Sequence, residues 1–277
     1  MKPIRLVALD VDGTLLDPRE EVRPRVRSAI REAIEQGCLI TLATGRRFAG
    51  ASHIAEDLGL ALPLILHGGA VVQDSASGAV IYQDPLEPDA VEALLRLLLP
   101  AHPVVVYESP AFGGRVLTGP TELDNEPLRL YDQARGPFVR VPLEELFAAR
   151  HVLSLATFSR DDGTLRGLAE RVAALPGAAP LLTRWTLIDD DALEIFRRGC
   201  SKASAIAHLA AAHGIGMDEV MAIGDGLNDC EILAAVGLGV AMGNACPEAV
   251  AAARIQVGTN EQDGVAEAIE RFVLRSA

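Results

Sequence analysis

The chain predicts an α/β protein, a doubly wound, mainly parallel sheet carrying an inserted α+β domain. Three observations lead there. Short, continuous apolar runs recur at Ile4–Leu9, Leu39–Ala43, Leu62–Leu66, Val220–Ile223 and Leu238–Ala241, as expected for strands covered on both faces. Segments of helical period alternate with these runs, the signature of βαβ units. From about residue 85 to residue 189 the pattern changes: proline is more frequent and the apolar residues alternate.

In chain order, Ile4–Leu9 reads as the first strand. Arg23–Gln36 is an amphipathic helix with Gly37 just beyond its end, a favoured helix stop. Leu39–Ala43 and Leu62–Leu66 supply the second and third strands. Inside the insert, Val104–Tyr107, Arg115–Thr118, Phe138–Val141 and Val152–Phe158 read as strands, and Ala90–Leu99 and Gly167–Leu175 as helices. The alanine-rich helix Ser201–His213 stops at Gly214, and the strands Val220–Ile223 and Leu238–Ala241 flank a helix over Asp229–Val236. The expected division is a core of 1–84 and 190–277 and an inserted cap of 85–189; insertions are tolerated where the chain ends of the host lie close together.

Composition narrows the function. The 277 residues are 49% hydrophobic, enough for a sizeable core. The formal charge of −13 argues against nucleic acid or an anionic membrane as partner. The first residues do not read as a signal peptide, and no apolar stretch reaches the roughly 18 residues of a membrane span, so a cytoplasmic location is expected. Cys38, Cys200, Cys230 and Cys246 show no CxxC spacing and read as reduced, buried thiols.

Four polar clusters follow apolar strands directly: Asp10-Val11-Asp12-Gly13-Thr14, Thr44-Gly45-Arg46, His67-Gly68-Gly69-Ala70 and Gly224-Asp225-Gly226-Leu227-Asn228-Asp229. Parallel sheets bind ligands beyond the carboxyl ends of their strands, so these segments should converge on one site holding Asp10, Asp12, Asp225 and Asp229. Crowded carboxylates repel unless a positive ion sits among them. All-oxygen donors, with no His or Cys cluster, suit Mg2+. Asp10 is then placed to attack phosphorus as a carboxylate nucleophile, and Asp12 to give and later take a proton. Gly13 lets backbone N–H groups approach phosphoryl oxygens. Thr44 offers a hydroxyl, with Gly45 keeping the chain close behind it. Lys202, opening its helix, would neutralise the phosphoryl group.

Taken together, DVDGTLLD, ATGR, SKASAI and GDGLNDCEIL resemble the motifs of the haloacid dehalogenase (HAD) superfamily of phosphatases, and the large insert resembles the cap of its Cof-type sugar-phosphatase branch. The resemblance implies a Rossmann-like core, hydrolysis of a small-molecule phosphate ester such as a sugar phosphate or phosphorylated cofactor, and an aspartyl-phosphate intermediate. It implies Asp10 as nucleophile and magnesium ligand, Asp12 as acid/base that binds metal through its backbone carbonyl, and Asp225 as a further metal ligand. It also implies Thr44 and Lys202 on the phosphoryl group, Asn228 near the phosphate, and Asp229 and Asn244 in support. Two positions depart from the family pattern: His67 stands where Asn is frequent and Ala203 where Gly is.

Each residue also has a plainer reading. Thr44 and Asp229 could cap helices, Asn244 could be a turn residue, and Lys202 a solvated helix lysine. His67 reads as structural, Arg46 and Arg47 as substrate-binding or surface residues. Trp185 reads as cap packing, and the run Asp189-Asp190-Asp191 as a solvated hinge. Two other functions use similar parts: a phosphoryl-transferring mutase and a non-catalytic phospho-aspartate switch. A switch lacks the acid two residues after the nucleophile, which Asp12 supplies here.

Overall fold

The computed structural model describes residues 2–185 and 190–274. The chain divides into two units, Met1–Tyr82 with Ser201–Ala277, and Gln83–Cys200.

The first unit begins with strand β1 (Leu6–Leu9), helix α1 (Pro24–Glu35), strand β2 (Leu39–Leu42), helix α2 (Phe48–Asp57) and strands β3 (Leu64–Leu66), β4 (Val71–Gln73) and β5 (Val80–Gln83). Pro24 opens α1, where its missing N–H costs nothing. The run at 62–66 was expected as a full parallel strand. It makes one parallel bridge, Ala43 to Ile65, and then pairs antiparallel with β4, Leu64 opposite Gln73.

The second unit holds α3 (Pro88–Leu98), β6 (Val105–Glu108), β7 (Val116–Thr118), α4 (Glu126–Arg135), β8 (Val139–Arg140), α5 (Leu143–Phe147), β9 (Val152–Phe158), α6 (Asp162–Ala173), β10 (Ala178–Trp185) and β11 (Asp190–Arg197). Its sheet runs β10-β11-β9-β6-β7-β8. One buried cluster joins Leu94, Leu95 and Leu98 of α3 to Val106, Leu155, Leu165 and Leu193; a second groups Val105, Tyr107, Phe138 and Phe158 with Leu128 of α4. The β10–β11 hairpin, α4 and α5 were not expected. Because β11 belongs to this unit, the return to the first unit falls at Ser201, beyond the expected boundary at 190. Asp189 of the expected hinge lies outside the described residues, whereas Asp190 and Asp191 begin β11. The backbone of Trp185 ends β10, and its side chain lies outside the described residues.

The first unit resumes with α7 (Lys202–Ala212), β12 (Val220–Gly224), α8 (Cys230–Ala235), β13 (Leu238–Ala241), α9 (Pro247–Ala252), β14 (Ile255–Gln256) and α10 (Gly264–Phe272). The main sheet runs β14-β13-β12-β1-β2, and its pairs are parallel. Leu6, Ala8, Val220 and Ala222 pack with Ala205, Ile206, Leu209, Ile232 and Leu233 of α7 and α8. Val7 and Leu9, on the alternate positions, are equally buried, so β1 is covered on both sides. Helix α1 packs against β2 and α10.

Register positions the functional residues. Leu9 lies opposite both Ile223 and Leu42, so Asp10, Thr44 and Asp225 leave the sheet at one edge. Among the described residues no helix is long and apolar enough to cross a membrane. Cys38 and Cys200 are buried as expected, whereas Cys230 and Cys246 are only half-buried.

Candidate active site

Four loops at that sheet edge build the site. After β1 the chain makes a wide turn over Val11–Leu15, in which Gly13 has φ of 77°. A Cβ on Gly13 would collide with the carboxylate of Asp225, so the bare glycine lets the two loops touch. Thr14 fastens them, its Oγ1 donating to Asp225 Oδ1 at 2.6 Å.

Lys202 is the electrostatic centre. Ser201 caps α7, its hydroxyl accepting from the N–H of Ser204 while the Ser204 hydroxyl accepts from the N–H of Ser201. The next residue therefore starts the helix, and its side chain is 1% exposed. Nζ donates to Asp10 Oδ1 at 2.6 Å and to Asp229 Oδ1 at 2.7 Å, which excludes the solvated reading of this lysine. The turn His67–Gly69 presses on the same helix start: Gly69 has φ of 109°, and a Cβ there would strike the Ser201 carbonyl.

Asp229 Oδ2 accepts the N–H groups of Asp225 and Gly226, each at 3.0 Å. It ties its own loop and Lys202 together rather than capping α8, where its side chain makes no cap bond. Asp10, Asp225 and Asp229 each offer an oxygen, all within 4.8 Å of one another. Burial pushes the Asp10 carboxyl well above its ordinary range; Lys202 works against this, and Asp229, Asp225 and Asp12 reinforce it. Burial likewise lifts Asp225 to about 6, opposed by the Thr14 hydroxyl and reinforced by Asp229. Burial disfavours the charge on Lys202, but Asp10 and Asp229 more than offset it, so the ammonium stays protonated. A pocket short of positive charge and lined by hard oxygen donors fits a small dication such as Mg2+.

Asp12 stands apart from this cluster. Its side chain is 51% exposed and is gripped by Arg46. Thr44 is fully buried, and its Oγ1 accepts the N–H of Arg46 at 3.1 Å. This is a local turn bond and not the helix cap read as an alternative, because α2 starts later, at Phe48, with Arg47 at its N-cap and no side-chain cap bond. Gly45 is exposed, with open space where a side chain would stand. Asn228 is half-buried in the short turn Leu227–Asp229. Asn244 Nδ2 donates to the Gly13 carbonyl at 2.8 Å, and its Oδ1 accepts from the N–H of Asn260 at 3.0 Å. Asn260 in turn donates through Nδ2 to the Leu16 carbonyl at 2.8 Å. Sequence reasoning missed Thr14, Arg46 in this setting, and Asn260. Thr14 and Arg46 carried a signal, since each sits inside one of the polar clusters; Asn260 carried none.

Comparison with known proteins agrees with this architecture. Residues 7–269 match the family described as haloacid dehalogenase-like hydrolase. The chain is 30% identical to the pyridoxal phosphate phosphatase YbhA of Escherichia coli over 274 residues, 96% of this chain and 97% of that protein. It is also 30% identical to the 5-amino-6-(5-phospho-D-ribitylamino)uracil phosphatase YcsE of Bacillus subtilis, over 98% of this chain and 96% of that one. A crystal structure of a haloacid dehalogenase-like hydrolase from Bacteroides thetaiotaomicron superposes with a TM-score of 0.76 at 28% identity, covering 97% of this chain and 99% of the other. With the family match spanning nearly its whole length, the chain belongs to the haloacid dehalogenase-like hydrolases.

Proposed function

We propose that the chain is a magnesium-dependent phosphatase that hydrolyses a small phosphomonoester through an aspartyl-phosphate on Asp10. One observation carries the reading: a buried Asp10 bonded to a buried Lys202, within 4.8 Å of the oxygens of Asp225 and Asp229, with a second carboxylate, Asp12, two residues away at the solvent edge. Asp10, Asp225 and the Asp12 backbone carbonyl would hold magnesium, with Asp229 in support. Bound there, the ion supplies the positive charge that the crowded carboxylates and the phosphoryl oxygens require.

Asp10 attacks phosphorus and the ester oxygen leaves as Asp12 donates a proton to it. Asp12 then takes a proton from water, whose oxygen attacks the aspartyl-phosphate and frees Asp10 and inorganic phosphate. Lys202 neutralises phosphoryl charge throughout. Thr44, Gly13, Gly45 and Asn228, on the loops that follow the strands at this sheet edge, are the candidates to orient the phosphoryl group, with Asn244 bracing the turn that presents Gly13. The relatives named for pyridoxal phosphate and a ribityl phosphate direct the substrate search to phosphorylated cofactors and sugar phosphates.

The test is phosphate release from a broad panel of such esters with and without Mg2+. Turnover with Mg2+, silenced by EDTA and restored by added Mg2+, is expected. Asp10→Asn should lower kcat by roughly 10⁴-fold or more while keeping the fold. Chelator-insensitive turnover or an active Asp10→Asn enzyme would overturn the assignment.

A further inference from the structure

We propose that Arg46 is a positioning residue for Asp12: it fixes the outward carboxylate that serves as proton donor and acceptor, and acts on the reaction through it. The inference rests on the acid/base role proposed for Asp12. Arg46 Nη2 donates to Asp12 Oδ1 at 2.6 Å and Nε to Oδ2 at 2.9 Å, a two-pronged grip that sets the plane of the carboxylate as well as its place. The arginine is itself immobilised at three further points. Its N–H donates to Thr44 Oγ1 at 3.1 Å, its carbonyl accepts from the N–H of His67 at 3.2 Å, and Nη1 donates to the Gly50 carbonyl at 3.1 Å.

The burial of the two partners is unequal. The Arg46 side chain is 10% exposed and that of Asp12 is 51% exposed. In an ordinary surface ion pair both side chains are mobile and the pair contributes little. Here a rigid, sheltered cation holds an otherwise free carboxylate, which would reorient among rotamers without it. Small displacements of a proton-transferring group carry large rate penalties, so the grip matters most where proton delivery limits the rate, with poor leaving groups.

Measuring kcat and KM for p-nitrophenyl phosphate and for an alkyl phosphate tests this in the wild type and in Arg46→Ala, Asp12→Ala and the double variant. Arg46→Ala should lower kcat for the alkyl ester by about 100-fold and for p-nitrophenyl phosphate by only a few-fold, with KM nearly unchanged. In the Asp12→Ala background it should cost nothing further, the signature of two residues acting as a unit. Arg46→Lys, which keeps the charge and loses the fork, should fall between. The melting-temperature rise produced by Mg2+ with beryllium fluoride, which has no leaving group, should match the wild type and certifies an intact pocket. Equal losses on both esters, a full additional loss in the Asp12→Ala background, or a raised KM at constant kcat would overturn the proposal. A wild-type enzyme inert to every ester would instead refute the phosphatase reading itself.

Discussion

His67 shows how one departure from the family pattern becomes a measurable property. Its φ is 49°, a left-handed conformation in which Asn, Asp and His are the usual non-glycine residues. Burial, followed by the nearby charge of Arg47, pushes its imidazole from 6.5 down to about 4. Folded protein therefore keeps the ring neutral at a pH where the unfolded chain binds a proton. Stability is undiminished above about pH 6.5 and is lost as pH falls toward about 4, by about 2 kcal/mol at pH 5 from this residue. His67→Asn accepts the same backbone and does not titrate, so its urea midpoint should drop less between pH 7 and pH 5 than that of the wild type; parallel drops would exclude His67 as the source. The meeting of Asp10, Lys202 and Asp225 was legible in sequence because each follows an apolar run or helix cap whose end is set by the sheet. The Arg46 grip was not, because which carboxylate a long side chain meets depends on its direction across two loops.

At the level of elements, the turn after β1 depends on a segment far along the chain. Asn244 and Asn260 take the carbonyls of Gly13 and Leu16, groups a wide turn leaves without regular backbone partners. Asn260→Ala removes one such bond and should cost about 1 kcal/mol, read as a melting temperature lower by a few degrees, together with a fall in kcat if the turn loosens around Asp10. Unchanged melting and turnover would show the clamp to be dispensable. Sequence periodicity reached β1, β2, β12 and β13 of the main sheet, because burial on both faces writes itself as unbroken apolar runs. It also reached α1, α3, α6, α7 and α8, but not α2 or the two-residue edge strand β14. It missed the β10–β11 hairpin, where the aspartate run read as a solvated hinge and Pro180 interrupts the strand pattern. The structure explains the exception: β10 is an edge strand, where a proline is tolerated. Helix α6 begins earlier than expected because Asp161 caps it, accepting the N–H of Gly163 at 3.1 Å.

For the whole molecule, the main consequence is that each unit has a core of its own. Leu155→Ala, at a fully buried site in the second unit, should destabilise by about 2–5 kcal/mol. Calorimetry should record this as a lowered transition for that unit, leaving in place the transition that Mg2+ with beryllium fluoride raises. A single transition that moves as one would mean that the units unfold together. The strand order also constrains how the chain matures during synthesis. Strand β1 sits between β2 and β12, yet all of Gln83–Cys200 must leave the ribosome before β12 exists. The nascent amino-terminal segment therefore waits with one edge of β1 unpaired, the exposed state in which strands are prone to wrong partners. Meanwhile the insert can complete its own sheet, and Lys202, Asp225 and Asp229 reach Asp10 only afterwards, followed by the Asn244 and Asn260 clamp on the turn after β1.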